Sequence, residues 1–484
     1  MMLHVSDLEL MERCERLAWL HYHDKPQVMP FYHSNMPFTQ VWSKAFGIED
    51  VPQGRRGDNN DTTLAMLDSS DVVRHARFEW KGLRVNIPWL EKTDKGWKAI
   101  YPHMASSCRQ TEAWHMLVDR LVAEKCGIAI TDWEVIFLNK EYVRGDVLDL
   151  DRLFIRKNHL YNRRGRPTKP IAELHEELDI DLDALIERAN RLFAGPCPKA
   201  SLSRACHAGR RCVHYDECFH PEEMDGRDIE FLKGIPHADK NGAVIDELDP
   251  ELLKDSPVVL AQYEACKNSP YIDRQRLLEW MRDVTYPISY LDFEWDSYAV
   301  PPFEKMKPFD VLCFQYSLHI EDGDGLRHKS FFGTGDCRID FIESLIRDVP
   351  VTGTIFVYNM EGAEQLRLKQ LARQFPQYET RLEQIWSRMK DLSKPFENGM
   401  YYDLSMKGRF SLKNVTALFD GSYSSLAIRN GLEAVAAYRD FDRQDAQTQH
   451  SIREELDKYC GMDTYAEVLV WHGLQQAIKE EQDA

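Results

Sequence analysis

The run Ile288-Ser-Tyr-Leu-Asp292-Phe-Glu294 constrains this chain more than any other stretch. It is an apolar, β-prone segment carrying two acids at alternate positions, and on a strand that spacing sets both carboxylates on one face. Two acids leaving a buried strand in the same direction repel each other and resist desolvation unless a cation sits between them. An exposed strand end would also tolerate the pair, so other acids have to decide. Val357-Tyr-Asn359-Met-Glu361-Gly-Ala-Glu364 reads as a strand running into the start of a helix, with Glu364 the choice for a third acid and Glu361 its rival. Tyr459-Cys-Gly-Met-Asp463 falls in a helical pattern, where a four-residue separation puts phenol and carboxylate on one face. Such a pair also serves as an ordinary helix-face hydrogen bond.

Around these acids the pattern predicts strands at Ile288–Glu294, Val311–His319 and His328–Phe332, then a helix near Ile339–Arg347 and a strand Thr354–Tyr358. Helices follow at Glu364–Phe375 and Arg381–Lys390, and a long one closes the chain from Ala446 to Glu481. Strands before alternating strands and helices fit a mixed sheet covered by helices. The N-terminal part predicts a helix over Ser6–His21, capped by Ser6 with Glu9 three residues on. Strands Ala76–Trp80, Leu83–Leu90, Trp97–Tyr101 and Trp133–Leu138 follow, with a helix over Glu112–Lys125. Residues 219–285 read as a mostly helical connector, punctuated by Gly234-Ile-Pro236 and Asp249-Pro250, with helical patterns at Pro250–Lys254 and Tyr271–Arg282. A chain of 484 residues is too long for one core, and 43% hydrophobic content suffices for several, so a multidomain α/β protein is expected.

The net charge of −18 argues against indiscriminate coating of nucleic acid, which is mainly phosphate neutralisation. The charge is uneven, however. Arg152, Arg156, Lys157, Arg163, Arg164, Arg166 and Lys169 form a basic run, and Lys199, Arg204, Arg210 and Arg211 add to it. A solvated face explains such a run. Phe154, His159 and Tyr161 among the cations also suit phosphate contact with base stacking. No apolar run is long enough to cross a bilayer, and the start of the chain lacks the basic-then-apolar layout of a secretory signal, so a cytoplasmic protein without a membrane partner is expected. In a reducing compartment, 11 cysteines suggest metal ligation or buried thiols before disulfides.

The order of Asp292, Glu294, Glu364, Tyr459 and Asp463 resembles the exonuclease superfamily that includes bacterial polymerase proofreading subunits, in its tyrosine subclass. That resemblance implies a ribonuclease-H-like domain over 286–484 and two-metal, 3′→5′ hydrolysis of single-stranded DNA or RNA with Mg²⁺ or Mn²⁺. Asp292, Glu294 and Asp463 would be direct ligands, Glu364 would contribute directly or through water, and Tyr459 would orient the attacking water. The second motif normally carries Asp, and here it carries Glu.

Cys206, Cys212 and Cys218 are evenly and widely spaced, unlike most zinc sites, and Cys14 is a fourth candidate. A distant N-terminal cysteine joined by three near a domain's end resembles the iron–sulfur RecB-like nucleases, as does Ser6-Asp7-Leu8 before Cys14-Glu15-Arg16-Leu17. This implies a restriction-endonuclease-like domain over 1–218 whose ends are stapled by a [4Fe-4S] cluster. Cys197 is a fifth candidate, and zinc or metal-free thiols are the alternatives. The resemblance also places the lost nuclease acids and lysine on Pro88, Tyr101 and His103, so this domain is expected to be catalytically inactive and to grip nucleic acid through Arg156, Lys157, Arg163, Arg164, Arg166 and Lys169. The whole chain resembles the bacterial DUF2779 family, which joins these two domains. Tyr290-Leu-Asp292-Phe-Glu294, Phe314-Gln-Tyr-Ser-Leu-His319, Ser411-Leu-Lys-Asn414, Leu426-Ala-Ile428 with Glu433-Ala434, and Tyr459-Cys-x-x-Asp463 carry the likeness. The rival expectations are a non-catalytic nucleic-acid-binding or scaffold protein, and a nuclease subunit active only within a protein complex.

Overall fold

Strand pairing in the first part of the chain is fixed by one tight turn. Lys81 and Gly82 both take positive φ, at 47° and 83°. Such a two-residue turn matches the twist of the strands it joins. It pairs β1 (Val72–Trp80) with β2 (Leu83–Thr93) in the register Trp80↔Leu83, and alternate residues such as Val85 and Ile87 are fully buried. β2 then pairs antiparallel with β3 (Gly96–His103), which runs parallel to β4 (Ile130–Leu138). The crossover between those parallel strands is helix α3 (Glu112–Lys125), which buries Ala113, Met116, Val118, Val122 and Ala123. β5 (Phe154–Lys157) closes the sheet against β4.

Two helices, α1 (Val5–Arg13) and α2 (Glu15–His23), replace the single helix expected over Ser6–His21. The break is Cys14, whose backbone is extended at φ −167° and ψ 119°. Ser6 lies inside α1 and is not its cap. The start is held instead by the Asp7 carboxylate, which accepts from the backbone N–H of His4 at 2.9 Å. Residues farther along build the hairpin of β6 (His159–Tyr161) with β7 (Pro167–Pro170) and helix α4 (Leu182–Ala194).

The computed structural model describes residues 2–25, 29–207, 211–233, 244–249, 253, 256–424 and 426–483. It divides into two compact units, Met1–Phe219 with Tyr298–Asp310, and His220–Ser297 with Val311–Ala484. Both are mixed α/β. Residues 220–285 therefore fall within the second unit, where the helices Pro257–Lys267 and Arg274–Met281 contribute Ala261, Ala265 and Leu277 to the core around Tyr290 and Phe356. Gly234, Ile235, Pro236, Pro250 and Lys254, which punctuate or pattern the expected connector, lie outside the described residues, as does Arg210.

The second unit's sheet has β8 (Ile288–Tyr298) at its centre. β9 (Val311–Asp322) pairs antiparallel with it and β10 (Gly325–Phe332) follows outward, while β11 (Ile355–Val357) and then β12 (Met389–Asp391) add in parallel on the other side. Helices α5 (Arg338–Asp348), α6 (Glu364–Gln374) and α7 (Glu379–Trp386) precede or separate the parallel strands. The helix expected to reach Lys390 stops at Trp386, because Met389–Asp391 pairs with Ile355–Val357 and strand pairing overrides local helix propensity. The chain then forms α8 (Leu412–Thr416), α9 (Gly431–Phe441) and the long α10 (Ala446–Asp483). Among the described residues no helix is long and apolar enough to cross a membrane.

The parallel start of β8 and β11 depends on a close backbone approach. Ser289 N–H donates to the Thr354 carbonyl at 2.9 Å, and Thr354 N–H to that of Thr285 at 2.9 Å. Gly353 makes the turn with φ +88°, and a Cβ there would collide with the Pro287 carbonyl. Gly353→Ala is therefore expected to destabilise this unit by about 1–3 kcal/mol from backbone strain alone, and more from the collision. A melting temperature equal to the parent's would contradict this account of the turn.

Candidate functional site

Asp292 and Glu294 leave the central strand β8 on one face, and Asp463 meets them from α10. One carboxylate oxygen of each lies within 4.8 Å of the other two. Glu294 and Asp463 are only 8% and 7% exposed. Polar bonds fix α10 in place. The Thr464 hydroxyl bonds Ser317 Oγ at 2.7 Å and His319 Nδ1 at 2.8 Å on β9, and the Cys460 thiol reaches Asp292 Oδ2 at 3.5 Å. Immediately after Glu294 the β8–β9 register slips, and such a bulge re-aims the side chains beside it. The next acid on β8, Asp296, is taken by Arg439, whose Nη2 donates to Oδ1 at 2.7 Å.

Glu364 opens α6 after a turn that begins at Asn359 with φ +65°. Asp391, at the end of β12, holds that turn. Its carboxylate accepts the N–H groups of Asn359 and Met360 at 3.0 Å each and of Ser393 at 2.9 Å. Glu364 is 1% exposed and accepts from the backbone amides of Phe293 and of its own residue, whereas Glu361 is exposed. The structure thus sets Glu364, and not Glu361, beside the other acids.

Burial first, then the charge of Asp463, pushes the Asp292 carboxyl well above the carboxylate range. Burial and the Asp292, Asp463 and Glu364 charges do the same to Glu294, and burial with Asp292 to Glu364. Burial raises Asp463 to about 6, partly offset by Tyr423, Lys413 and Tyr459. Lys413 and Tyr423 have no role in the sequence reading, although Lys413 lies in the Ser411–Asn414 likeness. The Lys413 ammonium sits 5.2 Å from the Tyr459 ring centre and 4.9 Å from that of Tyr423, and it donates to the Arg429 carbonyl. Glu467 was also missed, though it stands one helical turn beyond Asp463 and is 1% exposed.

In the first unit Cys14, Cys206, Cys212 and Cys218 line one cavity of about 260 Å³, together with Leu17 and Tyr215. The helix break at Cys14 belongs to this arrangement. Arg16, two residues on, donates through Nε to Cys218 Sγ and through Nη1 to Cys197 Sγ, each at 3.2 Å. Cys197 thus shares Arg16 with a cavity-lining cysteine. Among the described residues no three of these sulfurs lie within 4.8 Å of one another.

The basic run divides. Arg156 pairs with Glu134 at 2.5 Å and covers Trp89, and Lys169 pairs with Glu177 at 2.5 Å. Lys157, Arg163, Arg164 and Arg166 are exposed, the last three on the turn between the hairpin strands. Phe154 packs on Phe46 and Tyr161 on Phe137, so the aromatics expected to stack bases are engaged in ring contacts of their own.

Near Tyr101 two acids from neighbouring helices meet a histidine. The Tyr101 hydroxyl donates to Asp119 Oδ2 at 3.0 Å, and His115 stands between Asp119, at 3.8 Å, and Glu9, at 3.0 Å. These acids come from α1 and α3. Among the described residues their ligand atoms form no group of three within 4.8 Å.

Residues 289–411 match the model of a family described as "Domain of unknown function (DUF2779)", which supports membership of that family. No curated protein and no solved structure matches the chain.

Raised carboxyl values mean that the metal-free folded protein binds more protons than the unfolded chain, from about pH 4 up to about 6 for Asp463 and higher for the others. The associated stability is complete below the unfolded values and is lost as pH rises through the folded ones. A divalent cation held by these acids would replace those protons, so an upward shift in melting temperature with Mn²⁺ is expected to be larger at pH 8 than at pH 5.5. Equal shifts at the two pH values, followed by scanning fluorimetry, would contradict this electrostatic picture.

Proposed function

We propose that this protein is a metal-dependent 3′→5′ exonuclease acting on single-stranded DNA or RNA through a ribonuclease-H-like second unit. The observation that carries the reading is the convergence of Asp292, Glu294 and Asp463 within 4.8 Å, with Glu364 buried beside them. These oxygen donors suit hard divalent cations. Asp292, Glu294 and Asp463 would hold Mg²⁺ or Mn²⁺, with Glu364 next to them. When bound, such ions supply Lewis acidity that makes a coordinated water reactive near neutral pH.

The chain's own groups then divide the remaining work. Tyr459 is pushed far above the usual phenol value by burial and by Asp463, so it stays a protonated donor at neutral pH and positions water without taking its proton. Lys413 brings positive charge to the acids and lowers the cost of keeping them ionised. Strand polarity and the single-stranded substrate rest on the resemblance to proofreading exonucleases. The first unit, read as a RecB-like fold, would grip nucleic acid through Lys157, Arg163, Arg164 and Arg166.

End-labelled DNA and RNA, incubated with Mg²⁺ or Mn²⁺, test the reading. Asp292→Ala is expected to reduce hydrolysis by more than the roughly 10–100-fold that losing a hydrogen-bond partner of a metal ligand costs, with the fold intact. Activity that survives Asp292→Ala but depends on His103 would move the chemistry to the first unit.

The shared cavity of Cys14, Cys206, Cys212 and Cys218 is what supports the further reading that these four would hold a [4Fe-4S] cluster. Protein purified without oxygen is expected to be brown and to carry about four iron atoms per chain. Cys14→Ser and Cys212→Ser should each lower that content. Zinc alone in such protein would replace the cluster with a zinc staple.

A further inference from the structure

We propose that the segment Tyr298–Asp310 makes the first unit a positioning element for the acidic centre, by pinning the end of the strand that carries Asp292 and Glu294. The inference rests on the metal-centre reading above and names what holds that centre in register. β8 ends at Tyr298 and β9 starts at Val311, yet the residues that join them belong to the first unit. Ala299 and Val300 are buried there in an apolar cluster with Val41, Leu138, Tyr142 and Leu153, and Ala299 N–H donates to the His33 carbonyl at 2.8 Å. Arg144 grips the segment at three points. Its N–H donates to the Met306 carbonyl at 3.0 Å, its carbonyl accepts from Lys305 N–H at 2.7 Å, and its Nη1 donates to the Pro301 carbonyl at 2.8 Å. Lys305 and Phe309 take positive φ, 67° and 71°, a conformation that residues other than glycine keep only where their surroundings impose it. Every residue of this seat lies in the first unit.

What the seat fixes is register. At the base of the segment Phe309 N–H donates to the Tyr298 carbonyl at 2.8 Å, and Tyr298 N–H to that of Asp310 at 3.2 Å, so the β8–β9 ladder continues up to the seat. Going back along β8, the pairs are Ser297↔Val311, Asp296↔Leu312 and Trp295↔Cys313. Glu294 then pairs with Gln315, which leaves Phe314 as the extra residue of a bulge. Were the end of β8 free, the bulge could close by a one-residue slip, and a slip of that size turns side chains to the opposite face of the sheet. Glu294 stands next to the bulge and would be re-aimed away from Asp292 and Asp463. The Arg439–Asp296 pair holds the same stretch within the second unit, at 2.7 Å. The seat of Tyr298–Asp310 holds its far end.

Variants of the full chain that touch none of the acids test this. Arg144→Ala removes the bond to Pro301, and Val300→Asp puts a charge into the apolar seat. Each is expected to weaken Mn²⁺ binding, measured by equilibrium dialysis, by about fivefold or more. Amides of residues 293–297 should also exchange hydrogen faster in both, read by mass spectrometry without metal. Val85→Ala lies in a different apolar cluster of the first unit and serves as the control. It should lower the melting temperature while Mn²⁺ affinity and exchange in β8 stay at parental values. If Val300→Asp does not fold, Arg144→Ala and Val300→Ser carry the test. Parental Mn²⁺ affinity and parental exchange over 293–297, in a variant whose residues 298–310 have lost protection, would overturn the proposal. Equal weakening by Val85→Ala would do the same, since it would make the effect one of general stability. A parent that binds no Mn²⁺ sinks the metal-centre reading instead, and exchange in β8 still decides whether the seat holds the strand.

Discussion

Mutual repulsion among buried carboxylates is the constraint around which the second unit is built. Asp292, Glu294, Glu364, Asp463 and Glu467 are drawn from one strand and two helices into a region where burial alone raises every one of them. A fold gains nothing from such a cluster by itself, because each desolvated charge opposes folding. The arrangement persists only because the surrounding framework over-determines it. Apolar packing of Tyr290, Phe356 and Trp471 fixes β8, β11 and α10 against each other. Short polar bonds then set the angles, at Thr464 for Asp463 and at Asp391 for the turn that presents Glu364.

Two further buried aspartates play the opposite part in that framework. Asp391 and Asp296 are as deeply buried as the clustered acids, at 4% and 1% exposed. Asp391 is satisfied by backbone amides and Asp296 by the Arg439 guanidinium. Charge-assisted bonds of this kind neutralise a carboxylate within the chain. What distinguishes the candidate centre is therefore the lack of internal neutralisation, with Lys413 the cation that most offsets Glu294 and Asp463.

How much of this was legible follows from periodicity. The period-two placement of Asp292 and Glu294 and the four-residue step from Tyr459 to Asp463 lie within single elements, and local geometry reads them directly. The choice of Glu364 over Glu361 was less accessible, because it depends on the left-handed turn at Asn359 and on Asp391 from a strand read as helix. Glu467 had the same helical signal as Tyr459 and was missed because no motif called attention to it. The break at Cys14 was invisible for another reason. Glu9 through Leu20 has an unbroken helical composition, and only the cavity shared with Cys206, Cys212 and Cys218 accounts for an extended residue there.

The first unit shows what becomes of buried acids when the chain supplies its own cation. Asp119 is fully buried and raised to about 6 by burial, a situation close to that of Asp463. Its neighbour is His115. Burial opposes protonation of that imidazole, but the Glu9 hydrogen bond and the Asp119, Glu9 and Glu112 charges outweigh it and push His115 up to about 9. At neutral pH the imidazolium stands between Glu9 and Asp119, and the Tyr101 hydroxyl completes Asp119 from the other side. Among the described residues no imidazolium of that kind stands with the clustered acids of the second unit, and Lys413 offsets only part of their charge. The two clusters thus differ in one residue type, a histidine that stands among the acids of the first, and on the proposed reading a divalent ion would take its part beside Asp292.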